Sequence, residues 1–225
     1  MKPTPLQNPI WHSLTSRHRD VALVRGIARR YPPDVAPFAA AAEGTEEAGA
    51  DLSRLFVSGE RVGILSVIPP MQENWIVAKE ILIHQFVWPY GLSSEPDPEA
   101  VLLDDGHIAA MLELTALVYP AYFRPGTAKL GDYFGIIREG RLVAMAGIRM
   151  ALDGHQELSA ICTHPDVRGQ GLAARLTRHL IAHVAAQSDR AFLHTESDNV
   201  PANSLYGKLG FVLERRLPFV VFDRR

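Results

Sequence analysis

Cysteine is almost missing from this chain: 225 residues contain one, Cys162. A single thiol cannot close an intramolecular disulfide, so the fold must rest on its core, and such sparing use of cysteine suits the reducing cytoplasm. Long apolar runs are missing too. None approaches the ~20 residues that cross a bilayer, and Met1 to Asn8 lacks the apolar stretch of a secretory signal. No membrane association is expected. There is no basic excess either: 23 Lys and Arg stand against 25 Asp and Glu, a formal net charge of −2. That balance argues against a sequence-independent grip on nucleic acid, which needs a basic face. No Gly-Lys-Ser/Thr ending of a P-loop occurs. His179 and His183 lie four apart on one helix, yet without cysteine or carboxylate companions they read as a solvated helix edge, and no metal is expected. What the chain does have is 47% hydrophobic residues, enough for a substantial core in one large domain or two small ones.

The most informative stretch is Thr163-His164-Pro165-Asp166-Val167-Arg168-Gly169-Gln170-Gly171-Leu172-Ala173. Beyond it Leu172, Leu176, Leu180 and Val184 recur at intervals of four and share one apolar helix face. A helix that starts in a glycine turn presents unpaired N–H groups and the positive end of its dipole, a place to hold phosphate. Gly169 and Gly171 let an anion approach the backbone closely, and Arg168 adds charge-assisted hydrogen bonds. The dinucleotide fingerprint also needs an early place in a βαβ unit, whereas this loop comes late, after an apparent hairpin.

Downstream, Phe192 to Glu196 reads as a short strand. It is followed by Asn199, Ala202, Leu205-Tyr206 and Gly210-Phe211, with Pro201 suited to a helix's first turn and Gly210 to its end. The spacing Arg168-x-x-Gly171-x-Ala173, together with this second cluster about thirty residues on, resembles the two acetyl-CoA signatures of the GCN5-related N-acetyltransferase (GNAT) superfamily. The wording Glu157-Leu158-Ser159-Ala160-Ile161-Cys162-Thr163-His164-Pro165 looks like its FR47-like branch, related to glycine N-acyltransferases, with Thr163 where the superfamily often has an apolar residue.

The resemblance implies an α/β (α+β) fold with a mixed, twisted central sheet flanked by helices. The pattern agrees from Pro98 on. A strand at Ala100–Leu103 precedes a helix capped by Asp104 or Asp105, with apolar positions Ile108, Met111, Leu112, Thr115 and Val118, ended by Pro120. A hairpin follows, Tyr133–Arg138 and Leu142–Met150 about Glu139-Gly140-Arg141. A strand at Gln156–Thr163, the helix at Leu172–Gln187, the strand at 192–196, a helix at 201–209 and strands at Phe211–Arg215 and Phe219–Phe222 complete the order.

It also implies chemistry: acyl transfer from acetyl-CoA to an amine acceptor, a small molecule or a peptide, without a covalent acyl-enzyme. Residues Arg168, Gly169, Gln170, Gly171, Leu172 and Ala173 would hold the pyrophosphate. Ile161, Cys162 and Thr163 would bond the pantetheine arm as an added strand, one N–H stabilising the oxyanion. Asn199 would position the thiol while capping its helix, and Tyr206 would protonate the leaving thiolate. A lysine-like amine has a pKa near ~10.4 and must lose a proton to attack. Glu157 stands where this superfamily often places a base, and a surface strand glutamate is the plainer reading. Cys162 reads as a small buried hydrophobe rather than a nucleophile. His194 alternates with Glu196 on one side of its strand, near the acceptor cleft or in the core. Tyr122, Phe123 and Arg124 would border the acceptor. The alternative is a CoA-binding sensor or scaffold without turnover. The protein is expected to be a monomer or a homodimer.

Residues 1–97 are less patterned. Ser93 to Pro98 has linker composition and marks a boundary, with the catalytic domain at 98–225. Residues 38–51 are alanine-rich and acidic and read as a frayed helix or mobile loop; Trp11, Trp75 and Trp88 read as packing residues. Arg61–Ile68 and Ile76–Trp88 are β-rich. Leu55 to Val62 resembles Ile136 to Leu142 in pattern, which makes residues 1–97 a degenerate GNAT-like half. The alternative is an unrelated cap covering one acceptor wall.

Overall fold

The computed structural model describes residues 4–118 and 122–225. Among them, the strands are β1 (Leu23–Arg25), β2 (Ala28–Arg30), β3 (Phe38–Ala41), β4 (Arg61–Leu65), β5 (Trp75–Val87), β6 (Val101–Leu103), β7 (Tyr133–Arg138), β8 (Arg141–Leu152), β9 (His155–Thr163), β10 (Arg190–Glu196) and β11 (Val212–Arg224). The α-helices are α1 (Pro9–Thr15), α2 (Glu46–Leu55), α3 (Ile108–Val118), α4 (Leu172–Ala186) and α5 (Val200–Leu209). One mixed sheet takes all eleven strands in the order β1-β2-β3-β4-β11-β5-β10-β9-β8-β7-β6. The fold is thus the mixed α/β sheet flanked by helices that the sequence implied. No described helix is long and apolar enough to cross a membrane.

Helix α4 forms because its stripe meets the sheet: Leu172, Leu176, Leu180 and Val184 are all at most 1% exposed. They pack with Phe86, Ile148, Leu158 and Leu193 on one sheet face, where α5 adds Tyr206. Helices α1 and α3 cover the opposite face, α1 through Ile10 and Leu14 and α3 through Met111 and Leu114. The apolar positions read for α3 are thus only partly the buried ones. The proposed stop at Pro120 lies outside the described residues. Asp104 caps the short turn before α3 by accepting from the Gly106 N–H at 2.9 Å.

Four local expectations change. Residues 38–51 are neither frayed nor a loop: β3 is buried throughout, and α2 is capped by Thr45 accepting from the Ala48 N–H. Alanine is small enough for α2 to lie close on β2 and β3, and Glu46 and Glu47 favour the helix dipole. The two final strands are one, β11, despite Pro218. The Pro218 carbonyl accepts from Ser66 N, so its nitrogen faces the same side, where β4 stops at Leu65 opposite Phe219. A missing donor costs little at such an open edge. Leu55 to Val62 is a helix end and a turn into β4, whereas Ile136 to Leu142 is a hairpin, so that local likeness does not correspond. His179 and His183 are not merely a solvated edge, since their rings lie 4.3 and 5.0 Å from Phe134.

The strand order contains a repeat that no local pattern carries. Strand β9 runs antiparallel to β8, then crosses through α4 to the parallel β10. Likewise β3 runs antiparallel to β2, then crosses through α2 to the parallel β4. The last strand of each series completes the other: β5 pairs with β10, and β11 with β4. The sheet therefore runs unbroken across residue 98. Ser93 to Pro98 is clamped onto α4, where Asp97 receives both a 2.6 and a 2.8 Å hydrogen bond from Arg175.

Candidate active site

Strands β9 and β10 pair only from His155 opposite Arg190 to Leu158 opposite Leu193. Beyond that β10 follows β5 to Glu196, while β9 follows β8 to Thr163. A register shift on β9 and a left-handed Ala160, φ 50°, turn the strand there. The edge of β9 that faces β10 has no ladder partner from Ser159 onward among the described residues. A cleft of about 290 Å³ occupies the opening, walled by Ala160, Ile161 and Cys162 on one side and His194 and Glu196 on the other. Asn199 and Tyr206 of α5 line it as well. Thr163 lies past these walls, with its Oγ1 buried and unpartnered.

Strand β9 leads through a short helical turn into the glycine loop. Arg168, Gly169, Gln170 and Gly171 are exposed; Gly169 and Gly171 are left-handed at φ 80° and 74°, and a Cβ on either would meet nothing within 4 Å. Gln170 Oε1 accepts from Arg138 at 2.6 Å. No acidic residue and no side-chain cap stands at the start of α4, so its first N–H groups face open space beside Arg168. Leu172 is buried and Ala173 half-buried behind them. This is the donor set that a phosphate needs.

Tyr206 is 8% exposed. Its ring is held 6.1 Å from Phe86 and 6.0 Å from Phe211. Asn199 caps α5 by accepting from the Ala202 N–H at 3.2 Å. The Glu196 carbonyl accepts from Asn199 N and Asn203 Nδ2, which ties the end of β10 to the helix carrying Tyr206.

Glu157 sits apart from these groups, fully buried. Arg149 donates to both its oxygens at 2.8 and 2.6 Å, and His194 Nδ1 donates to Oε1 at 2.7 Å. Burial alone would raise its pKa, but the Arg149 charge and the hydrogen bonds from His194 and Arg149 bring it down to about 2. Gln85 donates from its amide nitrogen to the far side of the same imidazole, at 3.0 Å from Nε2. A carboxylate with both oxygens engaged by donors is a weak proton acceptor. Burial pushes the Cys162 thiol up to about 12, too high for a nucleophile at neutral pH.

A second cavity of about 70 Å³ adjoins the cleft and shares Arg149, His194, Thr195 and Glu196 with it. Its apolar wall includes Ile10, Phe38, Leu65, Ile83 and Phe219, most of them from the first 97 residues. Tyr122 stacks on Phe38 at 6.0 Å to close one side. Phe123 points elsewhere, edge-on to Tyr133 at 5.5 Å.

Comparison with known proteins agrees with this geometry. The family model for FR47-like proteins matches residues 133–220. A crystal structure of a putative acetyltransferase of the GNAT family from Novosphingobium aromaticivorans is 32% identical, covers 99% of this chain and 100% of that one, and superposes with a TM-score of 0.92. The chain belongs to the GNAT family. A GCN5-related N-acetyltransferase from Kribbella flavida shares the fold at 16% identity, covering 96% of each chain with a TM-score of 0.62. The catalytic subunit NAA20 of the N-terminal acetyltransferase B complex from Arabidopsis thaliana is 27% identical over 112 residues, which span 46% of this chain and 64% of that protein.

Within this GNAT chain, sequence reasoning passed over Glu196 and Arg149. Glu196 reaches both cavities and is bound to Lys79 Nζ at 2.7 Å. Its placement two residues after His194 on one strand face was the available signal. Arg149 had none, since its partner Glu157 lies across a hairpin whose register is shifted.

Proposed function

We propose that this chain is an acetyl-CoA-dependent N-acyltransferase, most simply an N-acetyltransferase, acting on a primary amine of a small molecule or a peptide. The observation that carries this reading is one cleft in which an unpaired strand edge, Asn199, Tyr206 and a solvent-reached carboxylate meet at the end of a strand that feeds a glycine loop.

The thioester supplies an activated acyl carbon and a leaving thiolate. The loop amides from Gly169 to Ala173 and the Arg168 guanidinium hold its pyrophosphate. The unpaired edge of β9 from Ser159 to Thr163 bonds the extended pantetheine arm, and an N–H of Ile161 to Thr163 receives the carbonyl oxygen as it gains charge. As the C–N bond forms and the C–S bond breaks, Glu196 takes a proton from the amine and Tyr206 gives one to the sulfur, then recovers it from water. In this reading Glu157 does not touch the amine: it fixes the tautomer of His194 and the position of Arg149 at the wall between the two cavities.

Residues 1–97 serve as a degenerate half that has become a wall of the acceptor cavity. The repeated strand order supports this. Its β3–α2 turn carries a side-chain cap and two first-turn glutamates where α4 has none, which repels rather than attracts phosphate.

Thiol release from acetyl-CoA against a panel of amines tests the proposal. Acetyl-CoA binding without acceptor-dependent release would favour a sensor instead. Gly171→Glu is expected to weaken acetyl-CoA binding at least about tenfold by calorimetry, through charge repulsion and the strain of a side chain at φ 74°. Unchanged affinity would remove the loop from the donor site. Glu196→Gln is expected to lower kcat at least about a hundredfold; a loss under threefold would return the base to another group.

A further inference from the structure

The cavity beyond Glu196 does not end at its apolar wall. Tyr122 also lines a wider space of about 470 Å³ on the same sheet face. Register sets the spacing. Phe219 lies opposite Leu65 and Ile81, and Val221 lies opposite Gly63 and Lys79. The row at Val221 is therefore two residues, or ~7 Å, further along the sheet than the row at Phe219. Glu196 lies opposite Ile83, four residues along β5 from Lys79, or ~13 Å. A trough thus runs from the thioester side, past the small apolar cavity, to the wide one.

The wide cavity is lined by three cations, Arg61, Lys79 and Arg124, and by no carboxylate. Arg61 is held by both oxygens of Asp223, at 2.7 and 2.9 Å. Lys79 reaches back to Glu196. The Arg124 guanidinium donates to the Pro33 carbonyl and makes no ion pair among the described residues. Burial lowers its pKa; the more distant Glu60 and Asp34 charges raise it and Arg30 lowers it. A half-buried guanidinium without an anion partner keeps part of its desolvation cost uncompensated.

We infer that the acceptor carries an anionic group as well as its amine, the two separated by a short apolar stem. The amine takes the place of Lys79 at Glu196, the stem crosses the small cavity, and the anion lies on Arg124 and the released Lys79. This rests on the transferase reading above and names the class of its acceptor. Exchange is cheap on the protein side, because a part-exposed pair such as Lys79–Glu196 contributes little stability. One ion pair is replaced by two. A plain alkylamine would displace Lys79 and bring nothing for Lys79 or Arg124 to bind. The shared chemistry is an anion that a guanidinium can hold, a carboxylate or a phosphate.

The test uses ω-amino acids of rising chain length, ω-aminoalkyl phosphates of the same lengths, and plain alkylamines. Two readouts apply: kcat/KM by thiol release, and calorimetric affinity for the CoA-loaded protein. The best anionic acceptor should exceed the alkylamine of equal length at least about tenfold, the worth of a charge-assisted hydrogen bond. That ratio should collapse in Arg124→Met and be partly kept in Arg124→Lys. If Arg124→Met does not fold, the ratio in Arg124→Lys carries the test. Equal use of alkylamines, a ratio untouched at Arg124, or acetyl-CoA binding with no affinity for any anionic probe would each overturn the inference. Failure of the transferase reading looks different: acetyl-CoA gives no binding heat and no amine releases thiol. The carboxylate and phosphate arms decide which anion is preferred.

Discussion

Tyr206→Phe should lower kcat by about 10²–10⁴-fold while the protein keeps its fold. The ring is anchored against Phe86 and Phe211, and phenylalanine keeps both contacts. What is lost is the hydroxyl of a residue that lines the cleft together with Glu196 and Asn199. A thiolate leaving without a proton donor is a poorer leaving group, so the loss should fall on kcat rather than on acetyl-CoA affinity. Steady-state thiol release and a thermal melt on the same preparation check both halves of the statement. A kcat within threefold of the parent at all pH values would remove Tyr206 as the acid. A large fall in melting temperature would instead make it a packing residue.

Glu157→Ala should cost about 3–5 kcal/mol of stability, because it strands the buried Arg149 charge and takes the acceptor from His194 Nδ1. In a chain of this size that is a fall of about 6–20 °C in melting temperature. The pH dependence follows in sign. The carboxyl titrates at 4.5 when unperturbed and at about 2 in the folded protein. Its ionised form therefore stabilises the fold fully above pH ~4.5, and that contribution is lost as pH falls from there toward ~2. The melting-temperature gap between the parent protein and Glu157→Gln should close across that window. A gap that stays constant through it, or a Glu157→Ala variant within about 1 kcal/mol of the parent, would show that the Arg149–Glu157–His194 group does not hold this part of the sheet together.

Much of the donor side was legible in the sequence because its signals are local. The stripe from Leu172 to Val184 sets one helix face by period alone, and each of those side chains is buried. Gly169 and Gly171 are needed where the backbone turns left-handed, Asn199 where α5 needs a cap, and Gly210 where it ends at φ 107°. Each of these requirements acts over a few residues. The signals that misled were also local. The alanines of β3 look like a helix or loop because alanine's propensity says nothing of the helix that will cover it. Pro218 looks like a strand break because only the neighbouring strand's endpoint shows that its missing N–H faces an open edge.

By itself, then, the chain determined the glycine turn, the helix behind it, the Asn199 and Tyr206 helix and the mixed sheet class. Tertiary structure alone decided the two cavities beside the cleft. Strand β5 lies between β11 and β10, so Ile83 and Lys79 come beside Glu196 and Val221 from more than a hundred residues away. Glu157, whose plainer reading was a surface strand glutamate, is buried, with Arg149 and His194 set against it by β8 and β10. The physical reason is range. Turns, caps and amphipathic faces are set by neighbours in sequence, whereas the charge of a cavity and the acidity of a carboxyl depend on which distant strands pair and in what register.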